Sequence, residues 1–236
     1  MTEQEWLTSA NPWNMIAFVT DGASKRKLRL FACACCRQVL NPFVPALVSR
    51  AIAAAEAFAD GEISADTLAR VREIVGEAAR PTGHEDATNN TGYFSDLFGG
   101  CLSACCQTED VAELAQDASH VTACAAGDGP LRDGLRIIRA EDRPPEYAAE
   151  LATQADLFRD IFGNPFQSLE IQFEWLTSDV LALARGIYDQ RAFDRMPILA
   201  DALQDAGCDD DILNHCREAR EHARGCWVVD LLLGKK

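Results

Sequence analysis

The sequence lacks the short motifs that mark the commonest catalytic sites. It has no G-x-S-x-G elbow for acyl transfer and no H-E-x-x-H helix for zinc hydrolysis. It also has no P-loop and no G-x-G-x-x-G turn. A thiol redox site would place C-x-x-C at a helix N-terminus within a βαβ unit, but Cys33-x-x-Cys36 falls mid-helix among apolar residues. No βαβ alternation occurs. These absences weigh against an enzyme. Positive charge is scarce as well: 22 basic residues face 37 acidic ones, for a formal net charge of −15. Such a surface repels phosphate backbones and anionic lipid, which argues against nucleic-acid and membrane partners. The one dense basic cluster, Lys25, Arg26, Lys27 and Arg29, has no interleaved aromatics and reads as a solvated helix start. No stretch reaches the ~18 apolar residues of a membrane span. The opening MTEQEWLTSANPWNM is acidic and polar where an export signal would be basic and then apolar, so a cytoplasmic location is expected.

What is present is an ordinary folding composition, 48% hydrophobic and 25% charged over 236 residues. Helix signals follow one another along the chain. Asn11-Pro12, Ser24, Ser64, Thr108-Glu109-Asp110, Thr177 and Asp194 read as helix starts. Asp60-Gly61, Gly207 and Gly234 read as stops. Trp6, Trp13, Ile16 and Phe18 are apolar anchors for the N-terminus. Two apolar stripes on the helix after Ser24 predict that it is buried beyond its basic first turn. Leu169, Ile171, Phe173 and Trp175 alternate with period two. The fold class is therefore all-α: an irregular multi-helix bundle with one extended aromatic arm near 164–176. One helical domain over 1–236 is expected, with a boundary or mobile loop at 81–92 and a compact C-terminal subdomain at 157–236.

The segments FRDIFGNPF, YDQRAFDRMPILADALQDAGC, ILNHCR and HARGCWVVDLLLGK, with KLRLFACACCR near the N-terminus, resemble an uncharacterised family of bacterial proteins from planctomycete-type genomes. The resemblance covers about residues 1–60 and 157–236. It implies a grouping and no activity.

Ten cysteines are the compositional excess. Reduced cysteine packs as a small hydrophobe, so each cluster must be weighed as core before it is weighed as a site. Cys33 and Cys36 could pair with Cys101, Cys105 and Cys106 in a Cys₄ or iron–sulfur site, but helix crossing explains small thiols there better. The sharper candidate is Cys208, His215, Cys216, His222 and Cys226, whose thiolates and imidazoles are zinc ligands. Against it stand a spacing unlike any finger and the ~100° between consecutive helical residues 215 and 216. The competing reading buries Cys208, Cys216 and Cys226 as packing and exposes both histidines.

Three functions compete. The first is a non-catalytic cytoplasmic interaction or regulatory module with a protein partner. The second is a structural zinc-binding protein. The third is an enzyme whose site is assembled from distant residues, with His120, His215 or His222 as candidates. No cofactor is expected from motifs, and zinc is the ion for which a donor set exists.

Overall fold

The computed structural model describes residues 1–40, 45–78, 99, 104, 110–128, 145–167, 171–208 and 210–236. Among these the fold is all-α: eleven α-helices and two single-turn 3-10 helices, with no strand. The expected loop at 81–92 and the thiols Cys101, Cys105 and Cys106 lie outside the described residues.

Most helix starts follow from short polar side chains that satisfy orphan N–H groups. Asn11 accepts from Trp13 N–H at the head of α2 (Pro12–Val19), and Ser24 accepts from Lys27 N–H at the head of α3 (Lys25–Gln38). Ser64 accepts from Thr67 N–H before α5 (Ala65–Ala78). Asp110 accepts from Glu113 N–H at the head of α6 (Val111–Asp128). Thr177 accepts from Val180 N–H ahead of α8 (Ser178–Gln190). Asp194 departs from the pattern. It sits inside the 3-10 turn Phe193–Arg195, and α9 (Met196–Asp205) begins after that turn with no side-chain cap.

The chain divides into two compact units. The first comprises Met1 and Thr8–Ala155, and the second Thr2–Leu7 and Asp156–Lys236. In the first, α3 packs against α4 (Ala46–Ala59) and α6, α4 against α5, and α2 against α6. Every residue of α3 from Leu28 to Cys36 is buried. Its run of Ala and Cys keeps the side chains short where helices meet, and Cys33 and Cys36 belong to the apolar core with Ile52, Leu68 and Leu114. The basic start of α3 is exposed only at Lys25, while its two arginines turn inward. Arg26 pairs with buried Asp60 at 2.7 Å. Arg29 is buried, donates to the Ala104 carbonyl at 2.6 Å and lies over the Phe58 ring. Both arginines of the cluster are thus engaged within the first unit. Further along, Arg37 grips buried Glu56 through two bonds of 2.8 Å. Of the N-terminal anchors Ile16 is fully buried, whereas Phe18 faces solvent because it falls on the outer side of α2.

In the second unit, α8 packs against α9 and the final helix α11 (Trp227–Leu233). The helix α10 (Asp210–Arg217) packs against α9 and α11. Trp175, Ile187, Leu199, Leu203, Leu213, Val228 and Leu232 belong to the unit's core. Phe193, Trp227 and Leu231 pack partly buried against it. In the 164–176 stretch the backbone is extended at Gln172 and then coils into the 3-10 turn Phe173–Trp175. That turn breaks the period-two alternation: Trp175 points into the core, while Phe173 is 86% exposed. The helix α7 (Pro145–Phe162) gives its last turns to this unit. There Phe158 stacks on Phe162 and meets Trp6 of α1 (Glu3–Thr8). Trp6 is fully buried and its indole donates to the Gly163 carbonyl at 3.1 Å, which ties the N-terminal helix to the end of α7.

Candidate metal centre

Three helices and one irregular segment of the second unit aim polar side chains at one point. Asp160 lies in the last turn of α7, just before Gly163 in the left-handed region (φ 69°) stops the helix. His215 is the penultimate position but one of α10. His222 lies in the irregular segment after α10, and Cys226 is the residue from which α11 starts. Their donor atoms all lie within 4.8 Å of one another.

The geometry centres on Asp160, which is fully buried. His222 Nδ1 lies 2.6 Å from its Oδ1, and His215 Nε2 lies 3.2 Å from the same oxygen. The Ala223 backbone N–H donates to Oδ2 at 2.9 Å, which fixes the carboxylate plane and the path of the chain between the two histidines. Cys226 Sγ stands 3.2 Å from His215 Nε2 and 4.0 Å from His222 Nδ1. The imidazoles meet edge-on with centroids 5.0 Å apart. On its outer side His215 Nδ1 accepts a hydrogen bond of 3.0 Å from the Trp227 indole N–H. His222 Nε2 is buried without a hydrogen-bond partner among the described residues, so its polar contacts run through Nδ1 alone.

The electrostatics follow from this burial. Desolvation alone would raise the Asp160 pKa, but hydrogen bonds from His215 and His222, and their charge when protonated, outweigh it and hold it at about 2. The Cys226 thiol is pushed well above its ordinary range, first by burial and then by the neighbouring Asp160 charge. Cys216 is pushed up to about 12, chiefly by burial and then by nearby Cys208. Left to themselves, these thiols are neutral packing groups. A cation among the four donors reverses this for Cys226, because a coordinating thiol is deprotonated outright.

The five sequence candidates separate into two groups. His215, His222 and Cys226 converge. Cys208 and Cys216 stand outside the four-residue group and fill the apolar core beside Leu203 and Ile212. Residues 215 and 216 do point in different directions from their helix, as the 100° step requires. Neither histidine is exposed: the His215 side chain is 8% accessible and that of His222 is 3%. His120, the remaining histidine candidate, lies in the first unit between Trp13 and Tyr147, with Cys124 Sγ 3.8 Å from its Nε2.

Asp160 was missed because it lies 55 residues before its nearest partner in sequence. A local signal did exist. The residue sits among Leu157, Phe158 and Ile161 on the buried side of an amphipathic helix, where an unpaired carboxylate would be costly. A charge in that stripe requires a partner. No protein-family model, no curated protein and no solved structure matches the chain.

The Asp160, His215, His222 and Cys226 group can hold a metal ion. Its donor set of two imidazoles, a carboxylate and a thiolate is wrong for calcium or magnesium, which take oxygen shells of six or more.

Proposed function

We propose that the chain is a non-catalytic helical module whose C-terminal unit is fastened by a structural zinc ion held by Asp160, His215, His222 and Cys226. The observation that carries this is the mutual spacing of four buried donors. With zinc bonds of ~2.0–2.1 Å to N or O and ~2.3 Å to S, a tetrahedron needs N/O contacts of about 3.3 Å and N/S contacts of about 3.6 Å. The N/O contacts are 2.6 and 3.2 Å and the N/S contacts 3.2 and 4.0 Å, each within about 0.7 Å of those values, and all four donors lie within 4.8 Å of one another.

Charge supports the same ion. A divalent cation with one carboxylate and one thiolate is neutral, which a buried site requires. The arrangement also favours a structural over a catalytic role. Catalytic zinc keeps three protein ligands and an open position for water, whereas four protein donors fill the tetrahedron. The fastening has a clear mechanical meaning: the ion would link the end of α7, α10, the irregular segment and the start of α11.

The test is elemental analysis of full-length protein purified without chelator, alongside the Cys226→Ser variant. About one zinc per chain is expected in the parent and a large loss in the variant. A ratio near zero in the parent, or an equal ratio in both, overturns the proposal.

A further inference from the structure

Resting on that zinc reading, we infer that Trp227 is a positioning residue that opposes metal uptake, because its hydrogen bond to His215 and a metal bond at His215 Nε2 exclude one another. The indole nitrogen is a donor only. Its N–H points at His215 Nδ1 at 3.0 Å, so Nδ1 must present a lone pair. A neutral imidazole that accepts at Nδ1 carries its proton on Nε2, the nitrogen that faces Asp160 Oδ1 and Cys226 Sγ at 3.2 Å each. In this form His215 donates inward and accepts outward, and every polar contact of the ring is matched.

A cation at Nε2 inverts the ring's polarity. The metal takes the Nε2 lone pair, and the ring proton moves to Nδ1. Two N–H groups then face each other across the 3.0 Å contact, and the hydrogen bond is lost. Metal-bound histidines ordinarily give their outer N–H to a carboxylate, a carbonyl or water. Here the outer neighbour is a donor, which opposes loading.

The position of Trp227 gives this opposition a route into the fold. It is the first residue of α11, and its ring lies tilted against His215 with centroids 4.9 Å apart. On another side it packs closely on Gly163, where even an added Cβ would stand 3.2 Å from the indole. Gly163 ends α7, the helix that carries Asp160. An indole released from His215 is therefore hemmed in by the segment that positions another ligand, and loading must be coupled to the seating of the final helix.

The experiment uses full-length protein stripped with chelator and titrated with zinc. The Trp227 indole N–H resonance, assigned in the parent through its contacts to the His215 ring protons, is followed by NMR. Zinc affinity is measured in parallel for the parent and for Trp227→Phe, which keeps an aromatic ring and removes the donor. We expect the indole resonance to lose its hydrogen-bonded shift as zinc saturates. The variant should bind zinc roughly 5- to 10-fold more tightly, the equivalent of one net hydrogen bond. A purely structural role for Trp227 predicts the opposite, equal or weaker binding in the variant. Stoichiometric zinc binding with an unmoved indole resonance overturns this inference and leaves the zinc reading standing. No zinc binding by the parent overturns both. The resonance is read in the parent, so a variant that fails to fold does not prevent the decision.

Discussion

The zinc proposal makes a quantitative demand on the stability of the C-terminal unit. A ligand that binds only the folded state stabilises it by RT ln(1 + [L]/Kd), about 4 kcal/mol when free zinc is held ~1,000-fold above Kd. For a unit the size of residues 156–236 with 2–7, each kcal/mol moves the midpoint by roughly 4–8 °C, so zinc should raise Tm by roughly 15–30 °C over chelator-treated protein. Asp160→Asn is the decisive perturbation. It preserves the shape of the side chain, removes the charge that lies 2.6 Å from His222 Nδ1 and weakens the carboxylate ligand. A hundredfold loss of affinity would cut the zinc increment at the same free concentration to about 1.4 kcal/mol, or roughly 6–11 °C. The variant should also start lower in chelator, by about 2–3 kcal/mol, because a buried charged hydrogen-bond centre has been neutralised. Calorimetry on both proteins, with and without buffered zinc, gives all four midpoints. A parent midpoint that does not respond to zinc would refute the reasoning. So would an equal zinc increment in parent and variant, which would place the ion elsewhere.

Two further outcomes test the surroundings. Gly163→Ala should lower stability by about 2 kcal/mol or more in chemical denaturation. The new Cβ would stand 3.2 Å from the Trp227 ring, on a backbone with φ 69° that non-glycine residues rarely adopt. In the first unit, buried Gln154 accepts from Ser119 and donates to the Ser119 carbonyl and to Thr122. Gln154→Ala should cost about 1–3 kcal/mol, read as a shifted denaturant midpoint with an unchanged slope, because it takes one hydrogen-bond partner from each of those buried groups and leaves the Ser119 hydroxyl without its acceptor.

The helical architecture was legible because its signals are local. A cap acts over three residues and an apolar stripe over one or two turns, so Ser24, Ser64 and Thr177 announce their helices whatever packs against them. Failures came where tertiary structure decides. Whether Arg26 and Arg29 are solvated depends on Asp60 and the Ala104 carbonyl, which the sequence places 34 and 75 residues away. Phe173 and Trp175 looked equivalent under a period of two. A single 3-10 turn separates them by a different angle, so that one is 86% exposed and the other 2%.

The candidate site shows the same division more sharply. Residue type and proximity were enough to nominate His215, His222 and Cys226, because thiols and imidazoles within twelve residues are rare in a chain with four histidines. The same criteria also nominated Cys208 and Cys216, because ligand chemistry says nothing about direction. Direction comes from the helix: on α10, position 215 faces the α7 carboxylate and position 216 faces the apolar core with Ile212. What would have separated them was a question about Asp160. A carboxylate in the buried stripe of α7 has to be neutralised from outside its own helix, and the basic or metal-bound groups able to do so in this unit include the two histidines. The buried carboxylate of Asp160 finds those partners in His215 and His222, and the direction of each thiol from its own element then decides that Cys226 joins the centre while Cys208 and Cys216 pack in the core.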